Sequence, residues 1–285
     1  MVKKFSYIIY KFLLFVDEII KLIFNKSFLI WFKDFIEKNS YKKITVLNKN
    51  LIFFTPNYLT SWRVDSINES EPETLDWINS FKKKKEVIFW DIGANIGIYS
   101  IYAATKHKNI KIVSFEPSTS NLRILSRNIS INNFQKKIII NQFPLSDKKN
   151  KYLLMRENQF VEGGALNSFN ENLNFEGKKI NTKYSYNIYG TTASHLLKSK
   201  ILTIPNYIKI DVDGIEHLIL KGFGKFLKNK KIESISVEIN ENFKDQFKNI
   251  LILMKKNNFK IIKKEKSFLD VSKKFEKTYN YIFGR

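Results

Sequence analysis

The stretch that decides the fold is Val87-Ile88-Phe89-Trp90-Asp91-Ile92-Gly93-Ala94-Asn95-Ile96-Gly97. Residues 87–90 are apolar throughout, as a strand buried on both faces of a parallel sheet must be. Asp91 ends that run. Gly93 and Gly97 then let the backbone turn sharply and approach a ligand with no Cβ in the way. Residues 98–106 read as a helix, 110–115 as a second strand, and Phe115-Glu116-Pro117 as its end. Strand, glycine loop, helix, strand and acid together form one nucleoside-binding half of an open α/β sheet.

The spacing within the loop selects among nucleosides. A dinucleotide fingerprint, G-x-G-x-x-G, needs its second glycine where the pyrophosphate approaches. This chain has Asn95 there, so the pattern is D-x-G-x-N-x-G and a nicotinamide dehydrogenase is excluded. An acid at Asp91 repels a pyrophosphate and welcomes a ligand with an amino group and a sulfonium centre. Glu116 lies 25 positions after Asp91 (116 − 91), at the end of the second strand. There it can accept hydrogen bonds from ribose hydroxyls. A tight turn explains the glycines alone, and capping of the next helix explains Glu116 alone. Neither explains both at successive strand ends.

Outward from this unit, strands and helices alternate. Helix is expected over 118–131, with Ser118 as N-cap, then strands over 137–143 and 151–155. The segment 156–202, rich in Asn, Gly and Ser, is expected to be irregular. Strand 207–212, helix 215–220, strand 232–239, helix 243–256 and strands 260–265 and 279–283 follow. Upstream, 74–81 reads as a short helix, and 43–55 as two short strands around Asn48-Lys49-Asn50. The alternation predicts a mostly parallel sheet covered on both faces, with chemistry at the carboxyl ends of its strands.

Composition bounds the rest. The 285 residues, 44% hydrophobic and 15% aromatic, support a substantial core in one large domain or a domain with an extension. The division expected is 1–58, N-terminal helices and short strands, and 59–285, the α/β domain. No cysteine means no disulfide, thiolate metal site or cysteine nucleophile, and fits a reducing, cytoplasmic compartment. With only three histidines and no H-x-x-x-H spacing, no histidine metal site is expected. Lys and Arg outnumber Asp and Glu by 49 to 27, a net charge of +22. The lysines are spread along the chain of a Lys-, Asn-, Ile- and Phe-rich protein, so charge alone does not make a nucleic-acid binder.

Near the N-terminus, Phe12–Val16 is an apolar run set between Lys11 and Asp17-Glu18. It is too short to span a membrane, and no small-residue cleavage site follows it. Ile8, Phe12, Phe15, Ile19, Leu22 and Ile23 recur at helical spacing. Two readings stand: a helix packed on the body of the protein, or one lying on the inner face of a membrane as a peripheral contact.

The motifs together resemble the FkbM family of S-adenosylmethionine-dependent O-methyltransferases. The resemblance runs from Trp62-Arg63 and Glu71-Pro72-Glu73-Thr74-Leu75-Asp76-Trp77-Ile78 through the glycine loop and Phe115-Glu116-Pro117. It continues with Asn121, Asn128, Asn133, Pro144-Leu145-Ser146-Asp147 and Gly163-Gly164-Ala165-Leu166-Asn167-Ser168. Ile208-Lys209-Ile210-Asp211-Val212-Asp213-Gly214-Ile215-Glu216 is the most specific stretch, and Asn280-Tyr281-Ile282-Phe283 closes the match. The resemblance covers about residues 60–285. It implies a Rossmann-like class I methyltransferase: a mostly parallel seven-stranded sheet, helices on both faces, and an antiparallel last strand. It also implies methyl transfer to a hydroxyl of a sugar, glycan or related natural product. One departure is Thr192-Ala193-Ser194-His195-Leu196, where Ser194 replaces the acid usual at that place.

On this reading S-adenosyl-L-methionine is the cofactor, held by Asp91, Gly93, Ala94, Asn95, Gly97, Glu116, Pro117, Asn121, Leu145 and Ser146. Asp211, ending the fourth strand of the sheet, is the first choice for base, with Asp213 and His195 as further catalytic candidates. Asn167, Ser168, Glu216 and Glu238 are candidate substrate contacts. Asp211, Asp213 and Glu216 offer oxygen ligands to a divalent cation, which is not expected to be needed. Glu216 also suits the helix dipole at the start of its helix. The competing functions are an RNA-directed methyltransferase, for which no aromatic-flanked basic stripe is present, and a non-catalytic binding protein that kept the fold.

Overall fold

The computed structural model describes residues 1–180, 182, 184–266 and 275–285. The chain divides into two compact units, Met1–Lys42 and Lys43–Arg285. The first holds helices α1 (Val2–Phe24) and α2 (Leu29–Lys38).

A two-stranded sheet, β1 (Tyr41–Val46) and β2 (Lys49–Phe54), turns through Leu47 and Asn48, both at positive φ. Next come α3 (Tyr58–Asp65), which the sequence reading did not foresee, and α4 (Pro72–Asn79). The α/β body runs β3 (Val87–Ile92), α5 (Ile98–Lys106), β4 (Ile110–Phe115), α6 (Thr119–Ile131) and β5 (Ile138–Asn141). After it come β6 (Lys151–Glu157), β7 (Ser168–Phe169), β8 (Tyr184–Gly190) and α7 (Ala193–Lys198). The body then resumes with β9 (Tyr207–Ile210), α8 (Glu216–Gly222), β10 (Ser234–Asn240), α9 (Lys244–Lys256), β11 (Lys260–Lys266) and β12 (Thr278–Gly284).

The main sheet has seven strands in the order β11-β12-β10-β9-β3-β4-β5. Neighbours from β10 to β5 are parallel, and β12 runs antiparallel to both β10 and β11. This is the seven-stranded Rossmann-like sheet with an antiparallel last strand that the motifs implied. Alternate residues of β3 feed two cores, one on each face: Val87 and Phe89 join one, Trp90 and Ile92 the other. Strand order reverses between β3 and β9, so the crevice for a ligand opens at their carboxyl ends.

Two expectations need correction. Residues 156–202 are not irregular throughout: β8 pairs with β6 along its whole length, and β7 completes a second, antiparallel sheet, while 158–167 hold no helix or strand. In β8 only Gly190 is fully buried, but Tyr184, Tyr186 and Ile188 alternate with Ser185 and Asn187, a period-2 strand signal that the sequence reading did not use. Ser118 does occupy the N-cap of α6, but its side chain makes no capping bond. The Glu116 carboxylate accepts from the Ser118 N–H instead, at 2.9 Å.

Asparagines of α6 tie β2 to the body. The wholly buried Asn128 accepts from the Phe54 N–H at 2.8 Å and donates to the Ile96 carbonyl at 2.9 Å. Asn132 exchanges hydrogen bonds with both backbone groups of Ile52. Asn128→Ala leaves a buried N–H and a buried carbonyl unpaired, so a loss of about 1–3 kcal/mol in urea-unfolding stability is expected.

Candidate active site

The glycine loop is built against the end of β9. Gly93 sits at φ +89°, and a Cβ there would lie 1.8 Å from the Asp211 carbonyl oxygen. The Asp211 N–H donates to the Ile92 carbonyl at 3.0 Å. Asn95 takes φ +52°, a left-handed conformation that asparagine tolerates better than most residues.

The loop keeps its own donors occupied. Gly93 and Ala94 N–H groups both donate to the Phe115 carbonyl at 3.0 Å, and Gly97 N–H to the Ala94 carbonyl at 2.8 Å. Asn95 N–H donates to Glu116 Oε2 at 2.7 Å, and Ile96 N–H to Asn95 Oδ1 at 2.9 Å. A phosphate cradle needs free N–H groups; this loop offers none. The donor pattern fits a nucleoside ligand without pyrophosphate, as the sequence reading of Asn95 implied. Glu116 is buried, with one N–H on each carboxylate oxygen. Burial pushes its carboxyl up to about 7, against the pull of those N–H groups. It thus serves the helix entrance and still has lone pairs for ribose hydroxyls.

Beside the loop lies a buried charge cluster centred on Lys209, which is 2% exposed. Its ammonium stands 2.6 Å from Asp211 Oδ2, 3.8 Å from Glu71 Oε2 and 4.7 Å from the Tyr99 ring centroid. Burial disfavours that charge, but Asp211, Glu71 and Asp91 outweigh it and push the ammonium pKa well up. Burial raises the Glu71 carboxyl, despite Lys209 and a 2.8 Å hydrogen bond from Thr74. Glu238 is raised by burial and by Asp211, Glu71 and Asp213. Asp91 is wholly buried; its Oδ2 accepts from Ser100 Oγ at 2.6 Å, and its Oδ1 has no hydrogen-bond partner among the described residues. Burial likewise raises the Asp91 carboxyl, against the opposing effects of Lys209 and Ser100.

A cavity of about 350 Å³ opens over this floor. Of the residues expected from sequence, Gly93, Ala94, Asn95, Glu116, Pro117, Asn121, Leu145, Asn167, Asp211, Asp213 and Glu238 line it. Asp91, Gly97, Ser146, Ser168, Glu216 and His195 are not among its lining residues. Asp91 lies beneath the loop with Ser100. Ser146 accepts from the Lys148 N–H, and Ser168 donates to the Glu171 carbonyl. Glu216 folds back onto the N–H groups of Val212 and Gly214, and accepts from Gln246. His195, on α7, contacts Asn150 at 3.1 Å. It is held there because Thr192 caps α7 through the His195 N–H, which fixes the first turn beside Asn150.

Residues 163–166 close over the loop. Asn95 and Asn121 both donate to the Gly164 carbonyl, at 2.8 and 3.1 Å, and Asn121 accepts from the Gly163 N–H at 2.9 Å. Arg63 donates to the Gly163 carbonyl at 2.7 Å, and Asp213 accepts from the Leu166 N–H at 2.6 Å. Burial and the neighbouring Asp211 push the Asp213 carboxyl up to about 6. Lys209, Glu71, Tyr99 and Arg63 were given no role by sequence reasoning. The one signal was Lys209 itself, a cation inside a strand of apolar neighbours. Such a charge must be paired.

The model of the family described as "Methyltransferase FkbM domain" matches residues 91–261. The chain belongs to the FkbM methyltransferase family. That match begins at Asp91 and takes in the loop, Glu116, Asp211 and Glu238, so it bears out the resemblance read from the motifs. S-adenosylmethionine is the cofactor of this methyltransferase family, and the loop's committed N–H groups and the free lone pairs of Glu116 suit it. A curated relative, methyltransferase sdnD of Sordaria araneosa, is 45% identical over 42 residues, 15% of this chain and 16% of that protein. The chain thus spans about a sixth of the length of that relative.

Among solved structures, a precorrin-6y C5,15-methyltransferase from Geobacter metallireducens GS-15 aligns at 12% identity and a TM-score of 0.43. The alignment covers 75% of this chain and 86% of that one. TrmK of M. capricolum, solved with S-adenosyl-homocysteine, aligns at 13% identity and a TM-score of 0.42, covering 74% and 66%. The fold itself rests on the sheet order. Among the described residues no group of three or more His, Cys, Asp or Glu side chains is arranged to hold a metal ion.

Proposed function

We propose that this FkbM-family chain is an S-adenosylmethionine-dependent O-methyltransferase acting on a hydroxyl of a sugar, glycan or related natural product. The observation that carries the reading is Asp211. Its carboxylate faces the cavity that the glycine loop and Glu116 also line, and its Oδ2 is fixed at 2.6 Å by Lys209. The bound cofactor supplies the methyl electrophile. Glu116 accepts from the ribose hydroxyls, and Asp211 takes the proton of the acceptor hydroxyl as general base. Lys209 holds that carboxylate in one orientation, while Glu238 and Asn167 face the acceptor. Asp213 works indirectly, pinning residue 166 of the covering loop. The chain's lack of cysteine makes the cytoplasm the expected compartment.

Radiolabelled methyl transfer from S-adenosylmethionine, offered polysaccharide, glycolipid and total RNA fractions, tests the reading. Label in a glycan fraction supports it. Label in RNA alone would replace it with the reading that the +22 charge favours. No calorimetric binding of S-adenosylmethionine would leave a non-catalytic protein of the same fold.

Glu116→Ala removes a charge-assisted acceptor, so the S-adenosylmethionine Kd is expected to rise about 10- to 100-fold. Ribose hydroxyls favour the ionised carboxylate, whose pKa without ligand is about 7. Affinity should therefore rise with pH up to about 7 and level off above it. Calorimetry across that range checks both statements. A pH-independent Kd would remove Glu116 from the ribose.

A further inference from the structure

The N-terminal unit exposes apolar surface that its own fold does not use. At about 100° per residue, α1 sets Phe5, Ile8, Phe12, Phe15, Ile19 and Ile23 in one arc, and each is exposed. Trp31 and Phe35 of α2 are exposed as well. Asp17 is the only buried residue of α1, and α2 has none. The joint between the helices is polar: the Asp17 carboxylate accepts from Ser27 Oγ and from the Phe28 and Leu29 N–H groups at the start of α2. Lys21 completes that joint at 2.7 Å. The half-buried apolar residues of this segment, Leu13, Leu14, Val16, Ile20, Phe28 and Leu29, include none of the arc, whose face is left open.

The charge of the unit indicates what covers that face. Residues 1–42 carry eight lysines and four acids, a balance of 8 − 4 = +4, and one of the acids is the consumed Asp17. Lys4 and Lys11 run along one edge of the arc, with Glu18 alone against them. A partner helix calls for edge charges of both signs in register; a bordering row dominated by lysine suits an anionic surface. Among the described residues no helix is long and apolar enough to cross a membrane, so the helix would lie in the plane of the interface.

We propose that α1 and α2 form an interfacial anchor, with the aromatic and aliphatic face in the acyl boundary and the lysines on anionic headgroups. The test is sedimentation of the full chain with vesicles of phosphatidylcholine alone, or mixed equally with phosphatidylglycerol. Binding to the anionic vesicles is expected to be about tenfold tighter or more and to weaken with added salt. Phe12→Glu with Phe15→Glu should abolish binding to both vesicles at unchanged helix content. Lys4→Glu with Lys11→Glu should remove only the preference for anionic lipid. In the unmodified chain, lipids brominated on their acyl chains should quench a fluorescence component that Trp31→Phe removes. The proposal fails if the chain ignores anionic vesicles at low salt, or if the Phe12/Phe15 variant binds them as well as the parent. A vesicle-free dimer abolished by that variant would instead assign the face to a second copy.

Discussion

Asp211→Asn is expected to lower kcat by about 10²–10⁴-fold while leaving the S-adenosylmethionine Kd close to that of the parent. The asparagine keeps the shape of the side chain and its carbonyl oxygen still accepts from Lys209, so the cavity wall stays in place. It cannot take a proton from an alcohol. The Gly93 contact runs through the Asp211 backbone carbonyl, which the substitution does not alter, so the cofactor loop is undisturbed. Single-turnover methylation together with calorimetry separates the two quantities. If the variant turns over at the parent rate, Asp211 is not the base, and Glu238 on the same cavity becomes the group to replace.

Lys209→Met is expected to have the largest effect on stability, a loss of about 3–5 kcal/mol in denaturant unfolding. The methionine fills most of the volume of the lysine stem, so packing changes little. What changes is charge: Asp211, Glu71 and Asp91 surround the ammonium, and its removal leaves buried carboxylates without a counter-ion. They then meet the folded state as neutral acids or not at all. Stability of the variant should accordingly recover as pH is lowered through the carboxylate range, because protonation relieves the repulsion. Equal stability of variant and parent at pH 7 would falsify the view that Lys209 neutralises the cluster.

The sheet was legible because its strands announce themselves one by one. The run before Asp91 is apolar, the loop carries glycines where the chain turns, and Glu116 stands where β4 ends. β8 was overlooked because it lies in a stretch rich in Asn, Gly and Ser, although Tyr184, Tyr186 and Ile188 alternate there with polar residues. The cofactor side of the cavity follows from local spacing within one strand–loop–helix unit. The charge cluster does not. Glu71 and Lys209 lie 138 positions apart (209 − 71), and only the close approach of the residue before α4 to the centre of the sheet makes them a pair. For the same reason His195 looked available from the sequence. The cap at Thr192 is local, but the contact of the His195 ring with Asn150, 45 positions away, is a tertiary fact.

The five committed N–H groups of residues 93–97 also bear on competition inside a cell. ATP, NAD and other adenine nucleotides carry phosphate tails, which the occupied N–H groups of this loop cannot cradle. Three of those groups are held by backbone carbonyls and two by the side chains of Glu116 and Asn95. On the proposed function, selection against phosphorylated adenosine compounds would begin in the turn that starts the fold.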